Sequence, residues 1–576
     1  MNRKSLLACV AFLSAILPVQ ANAEPTPKML AYSAQPNAYL NDHASDVAQI
    51  YDGLFFVIGS WDTSVTSSLG VDGAPPQDSS WMDLARQNVA SLSKAGATEN
   101  FLGVYFGDSD EWPSSQTLLS KDYTAKMVTH FSAVGRAAKE MGFRGVAIDV
   151  EYPYPRYSLD HAVYTYDGYT TEDLLAAARE QGAATVNAVL DAYPDAVILL
   201  LPGELWGRPI CTAYQCAILE AMAKRDAPGG LHFTYERSYS LLDPVSQVAL
   251  GRAGDLNVRK LIQDKSVLAY WNNRCSVAPG VWPLHRVETG GKDYPMQPWD
   301  KELAELRQQI EILRLTAKRY IWSFTSHAVW HSYAPDIREK YKLTNTPFED
   351  EEHVVAEWHN ILKDKSTSQD PHILDLVKNV RAFDAGELTP QMYCERFGTP
   401  AEWMVLGMLS NPATHAAQSA PNAALAPINP DLPVYGRDGA VRWFKFRNWD
   451  SLGSVRLGAA FDYLATDNCS VHLVATIHAD EEQKVVMHFN WDDGAIVWLN
   501  KNVVADHRQY PEKGHGMVYK DRYDFEETIP LTIPKGDNTL AITSLNHKGR
   551  WGVNIRFTDE NGWPVQGLHF DLPKVD

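Results

Sequence analysis

Cysteine is scarce in this chain, six in 576 residues. No disulfide framework can carry its stability, so a core drawn from the 45% of hydrophobic residues must do so. There is no Cys-x-x-Cys pair, and the spacing of His327-Ala-Val-Trp-His331 alone does not make a zinc site, so no metal or cofactor is expected. Basic residues are in deficit, with Lys and Arg at 52 against 71 for Asp and Glu and a net charge of -19. They form no concentrated face of the kind that phosphate backbones require, which argues against a nucleic-acid partner. Beyond the first two dozen residues no run approaches ~18 consecutive apolar residues, so no membrane anchor is expected. Also missing are a Gly-x-Gly-x-x-Gly after a strand, a Gly-x-Ser-x-Gly and a His-Glu-x-x-His, which disfavours dinucleotide, serine-nucleophile and metalloprotease chemistry.

What is present begins with an address. Asn2, Arg3 and Lys4 form a positive start, Leu6 to Leu17 is apolar but too short for an anchor, and Ala21-Asn22-Ala23 fits a small-x-small cleavage site. Residues 1–23 therefore read as a signal peptide cleaved near Ala23, placing the protein in the periplasm or outside the cell. Cys211 and Cys216 flank Thr-Ala-Tyr-Gln. They read as a short loop that an oxidising compartment either bridges or leaves as two thiols.

Strand-length apolar runs alternate with helical patterns over residues 24–345. The runs are Met29 to Ser33, Leu54 to Gly59, Phe101 to Gly107, Val146 to Glu151, Val197 to Leu201, Leu231 to Glu236 and Tyr320 to Ser326, with Val267 to Trp271 either a further strand or the end of a helix. Between them, Leu303, Leu306, Ile310, Leu313 and Leu315 mark one helical stripe. Strand and helix in repeated alternation imply a parallel sheet, and eight units close as a (β/α)8 barrel. Residues 346–400 read as a charged helical connector whose Glu349 to Glu352 run starts a solvated helix. Residues 401–576 alternate with the period of strands and read as an antiparallel β-sandwich. The fold class is thus α/β, a barrel followed by a sandwich.

In such a barrel the chemistry sits at the carboxyl ends of the strands. In Gly145-Val-Ala-Ile-Asp149-Val-Glu151 the β-branched residues share one parity and belong against the helices, which leaves Asp149 and Glu151 pointing into the barrel. Carboxylates two residues apart on a strand are ~7 Å apart and repel, and such a pair suits a general acid at neutral pH. The alternative for them is a rim salt bridge to Arg156 or Arg237. The same parity test on the sixth strand turns Leu231, Phe233 and Tyr235 outward and His232, Thr234 and Glu236 inward, followed by Arg237 and Tyr239. Glu204, beyond the fifth strand, points either way. Aromatic residues crowd the same ends (Trp61, Tyr105, Tyr152, Trp206, Trp271, Trp322, Trp330), and a set so placed suits a cleft on which apolar sugar faces stack. His327 and His331 lie past the last strand as candidate ligand contacts.

The segment Gly145-Val-Ala-Ile-Asp149-Val-Glu151-Tyr-Pro resembles the fourth-strand end of (β/α)8 glycoside hydrolases. Its Asp-x-Glu spacing is similar to that of chitinase-type enzymes. In the latter the resemblance implies an Asp that orients a substrate acetamide beside a Glu that donates the proton. The longer Asp-rich chitinase signature is absent, and the last strand offers Trp322, Phe324 and Ser326 where many retaining barrels carry a carboxylate. The last part of the chain resembles galactose-binding-like β-sandwich modules of carbohydrate-active enzymes, through Asn490-Trp-Asp-Asp-Gly494, Trp498-Leu-Asn500, Pro534-Lys-Gly-Asp-Asn538 and Trp551-Gly-Val553.

The resemblance and the residues together predict an exported glycoside hydrolase acting on a poly- or oligosaccharide. Glu151 is the expected proton donor, Glu236 the base or nucleophile, and Asp149 the residue that tunes Glu151 or orients substrate. Glu204, Trp206, Tyr105, Arg237, Tyr239, Trp322 and His327 are expected to contact sugar. A carboxyl separation of ~5.5 Å would imply retention of configuration and ~6.5–9.5 Å inversion. The alternative is a non-catalytic glycan-binding barrel that has lost one carboxylate. Sugar identity, linkage and oligomeric state do not follow from the sequence.

Overall fold

A computed structural model describes residues 26–57, 80–105, 119–149, 170–201, 203, 209–239, 243–288, 296–325, 329–343, 351–410, 428–461, 467–508, 527–547 and 551–575. Eight parallel strands close into a barrel in sequence order: β1 (Lys28–Ala34), β2 (Gly53–Val57), β3 (Phe101–Tyr105), β4 (Gly145–Asp149), β5 (Val197–Leu201), β6 (Leu231–Tyr235), β7 (Ser276–Val281) and β8 (Tyr320–Ser323). Helices follow the strands and cover the outside. Their ends are set by local chemistry. Ser120 caps the helix Lys121–Met141. That helix stops where Gly142 takes the left-handed conformation, with φ 81°, that a side chain would strain. Thr170 and Asp173 form a capping box on Thr171–Ala192.

The barrel interior is a packed core of stacked layers. Tyr320, Phe101 and His232 meet edge to face near the amino ends of their strands. Phe55 and Trp322 stack above them with centroids 6.2 Å apart. Burial depresses the pKa of His232 well below its ordinary value, so it is neutral in the core. Its Nδ1 lies 2.8 Å from the Ser276 hydroxyl.

One open reading is decided here and one expectation is corrected. Val267 to Trp271 is helical, inside Lys265–Arg274, because the Asp264 carboxylate accepts from the Ser266 and Val267 amides and nucleates a helix. The seventh strand is instead Ser276–Val281, whose Pro279 and Gly280 weaken the strand pattern. Cys211 and Cys216 lie on one helix, Pro209–Lys224, not on a loop, and are free thiols. Five positions apart on a helix, they face different directions.

After the helices Glu351–Lys363, Pro371–Asp384 and Pro390–Arg396 the chain becomes antiparallel. One sheet orders Phe444–Arg447, Glu402–Ser410, Cys469–Ala479, Gly536–Asn546, Gly494–Leu499 and Asn502–His507, with Leu568–Asp571 also paired to Cys469–Ala479. A second orders Ser454–Arg456, Gly552–Thr558, Gln483–Trp491 and Glu527–Ile533. Trp403, Leu473 and Ile542 of the first bury against Val485, Phe489, Ile555 and Phe557 of the second, as alternation in a sandwich requires. This sandwich shares a further core with the barrel, in which Tyr235, Val248 and Ile312 join Ile373, Phe397, Ala401 and Leu452. Among the described residues no helix is long and apolar enough to cross a membrane.

Candidate functional site at the carboxyl-end mouth of the barrel

Asp149 is the last residue of β4 and is 7% exposed. Its carboxylate accepts a 3.1 Å hydrogen bond from the Tyr32 hydroxyl. Strand β1 pairs with β2 and β8 and not with β4, so this bond crosses the lumen, and both side chains point inward. Pairing explains the direction. Gly145, Ala147 and Asp149 stand in register with Phe101, Gly103 and Tyr105, and paired residues share a face. Tyr105 is thus at the mouth by its backbone position. The positions of Glu151, Glu204, Trp206 and His327 lie outside the described residues, as do Arg156, Trp61 and Tyr152.

Strand β6 ends at Tyr235, and Glu236–Tyr239 form one 3-10 turn. In that turn residues three apart eclipse, so Glu236 and Tyr239 share a face while Arg237 is rotated away. Tyr239 faces the lumen. It stacks on Phe324 with centroids 5.4 Å apart and meets Trp322 edge to face, also at 5.4 Å. Glu236 is half-buried beside it. Gly280 makes this packing fit, because a Cβ there would stand 2.6 Å from the Tyr239 ring and 2.9 Å from that of Trp322. Trp322 is buried, its indole N–H held by the Ala278 carbonyl at 3.1 Å, so it forms the floor under the mouth rather than an open platform.

Arg237 is a correction. The sequence places it at the mouth as a sugar contact, but it is 1% exposed and donates to Asp450 of the sandwich at 2.8 Å. Arg237 directly follows Glu236, and the 3-10 turn carries its side chain away from the lumen, as odd strand parity would also have done. Trp271 is likewise not at the rim. It lies on the helix Lys265–Arg274, buried, with its indole N–H donating to Asp255 at 2.7 Å. Burial lowers the pKa of His331 to about 4, against a smaller opposing effect of its 2.9 Å contact with the Ser332 carbonyl. It is therefore a neutral packing residue at neutral pH.

The structure also shows a mouth carboxylate that sequence reasoning missed. Glu288, in the short helix after β7, accepts from the Trp282 indole and from the Thr325 hydroxyl. Trp282 lies flat on His285, with centroids 4.1 Å apart, and meets Phe324 edge to face at 4.9 Å. Only recognition of β7 would have exposed this group, since Trp282 directly follows that strand. The described mouth therefore holds Asp149 on one side, Glu288 on the other, Glu236 between them in chain order, and a wall of Tyr32, Tyr239, Trp282 and Phe324 over the Trp322 floor. Carboxylates against an aromatic wall can exchange protons and stack flat apolar faces. Among the described residues no group of three His, Cys, Asp or Glu side chains is arranged to hold a metal ion.

No protein-family model matches the chain, and no curated protein sequence matches it. Solved structures do. A GH18 chitinase from Pseudoalteromonas aurantia aligns at 14% identity over 51% of this chain and 93% of its own, with a TM-score of 0.29. An old yellow enzyme homologue from Zymomonas mobilis aligns at 13% identity over 60% of this chain and 93% of its own, with a TM-score of 0.28. A morphinone reductase aligns at 12% identity over 52% of this chain and 82% of its own, with a TM-score of 0.31. The architecture is established by the strand order itself: a closed (β/α)8 barrel joined to a β-sandwich.

Proposed function

We propose that the protein is an exported glycoside hydrolase that cleaves a poly- or oligosaccharide at the carboxyl-end mouth of its barrel. The observation that carries the reading is the inward, nearly buried Asp149, held across the lumen by Tyr32. In the sequence Glu151 stands two residues after Asp149, the spacing of one face of a strand. In this reading Glu151 protonates the glycosidic oxygen, and Glu236 activates water or attacks the anomeric carbon. Asp149 orients the substrate or supports Glu151. Trp282 and Phe324, the partly exposed rings of the aromatic wall that Tyr239 backs, supply the apolar surface on which a sugar ring rests. The signal-peptide pattern of residues 1–23 supports action in the periplasm or medium.

The reading is tested by incubating the full chain with a panel of polysaccharides and chitin-type oligosaccharides while following both retention on the glycan and release of products. Product release supports the hydrolase. Retention without products would replace it with the glycan-binding barrel.

A further inference from the structure

The turn that carries Glu236 and Tyr239 is clamped from two sides. From the barrel, the Gln309 amide donates to the Ser238 carbonyl at 2.6 Å, and the Ser238 hydroxyl donates to the Tyr235 carbonyl at 2.8 Å. From the sandwich, Asp450 receives Arg237 at 2.8 Å, with both side chains buried. Asp450 is itself fixed. Its other oxygen accepts from the Leu452 amide at 2.9 Å, and its carbonyl accepts from the Thr399 hydroxyl at 3.2 Å. The next residue, Ser451, donates to the Ala249 carbonyl at 3.1 Å on the helix Pro244–Leu261, which follows the turn. Asp243, the cap of that helix, is paired with Arg556 of the sandwich at 3.1 Å. The sandwich thus grips both ends of the segment between β6 and its helix.

We propose that Asp450 is a positioning residue for the mouth: through Arg237 it sets the 3-10 turn that presents Glu236 and Tyr239, which makes the sandwich a working part of the catalytic unit rather than an accessory that swings free. The kinetic part of this proposal rests on the glycoside hydrolase reading. A buried charge pair suits the task because its geometry is directional and water cannot substitute for either partner. Arg237 cannot relax toward another position without stranding its charge.

The test compares Asp450→Asn and Arg237→Met in the full chain by amide hydrogen exchange and by kinetics on a glycan that the unaltered protein cleaves. Both variants should speed exchange of residues 236–239 by about tenfold. The strands Val197–Leu201 and Cys469–Ala479 should keep their protection. Both variants should lower kcat by about 10²-fold with KM within about twofold, since a displacement of about 1 Å costs that much. The double variant should be no worse than either alone. Arg237→Met removes the other partner of the pair and serves if Asp450→Asn does not fold. Unchanged exchange at the turn in Arg237→Met, or loss of protection spread over the whole chain, overturns the proposal. If the unaltered protein cleaves no glycan, the hydrolase reading fails, and the exchange result alone still decides whether this ion pair sets the turn.

Discussion

The Tyr32 hydroxyl reaches across the barrel lumen to the Asp149 carboxylate at 3.1 Å, joining strands that are not neighbours in the sheet. A bond in this position ties the first strand to the rim of the fourth and fixes which way the carboxylate faces.

Replacing Tyr32 with Phe keeps the ring packing against Phe55 and Trp322 and removes only the donor. A hydrogen bond to a charged, buried acceptor is worth about 1.5–3 kcal/mol, so urea unfolding should show a loss of that size. Turnover of a cleaved glycan should fall about tenfold or more with KM little changed, because the carboxylate loses its orientation. Wild-type stability and turnover in Tyr32→Phe would contradict the assignment.

Gly280→Ala tests the aromatic wall. The added methyl would meet the Tyr239 and Trp322 rings at 2.6 and 2.9 Å. Overpacking of this kind costs about 1–3 kcal/mol. The variant should unfold at lower denaturant concentration and bind glycan more weakly. Equal stability would show that the rings have room to move.

The sandwich predicts an acid sensitivity. His472 is buried, and burial lowers its pKa to about 4, with Nδ1 2.7 Å from the Thr543 hydroxyl. The unfolded chain takes up its proton near pH 6.5 and the folded chain only near pH 4. The neutral form is therefore favoured by folding, its full contribution is present above about pH 6.5, and stability falls as the pH drops toward 4. At pH 5 the loss from this residue is about 2 kcal/mol. Chemical denaturation at pH 7.5 and 5 should show it, and His472→Gln should reduce the difference by that amount. An unchanged pH dependence in the variant would exclude His472 as its source.

Thiol chemistry gives a further check. Burial raises Cys216, Cys275 and Cys469 each to about 12, and Cys211 and Cys394 are buried as well. The thiolate is the reactive form, so alkylation of the native protein at pH 8 should be slow at all five and fast only after denaturation. Cys216 is the one half-buried thiol of the five, and rapid native labelling there would contradict the raised pKa.

Seven of the eight barrel strands are legible in the sequence because their residues are apolar over a strand's length, as in Val197–Leu201. Strand β7 is not, since Pro279 and Gly280 break its pattern, and Glu288 and Trp282 were lost with it. Parity read Asp149 correctly as inward, because a strand alternates strictly until it ends. It does not carry past the strand: Tyr239 shares the outward parity yet faces the lumen from the 3-10 turn, and the partner of Arg237, Asp450, is distant in sequence. Pairings of that range depend on how the sandwich docks, and no local pattern encodes them.

The most direct measurement is the rate of glycosidic bond cleavage by Glu151→Gln and by Glu236→Gln on a glycan that the unaltered protein hydrolyses. Each substitution keeps the shape and removes the proton-transferring or nucleophilic oxygen. The account predicts that each lowers kcat by about 10²–10⁴-fold while the protein stays folded. Cleavage at the unaltered rate by either variant would contradict the role assigned to that carboxylate.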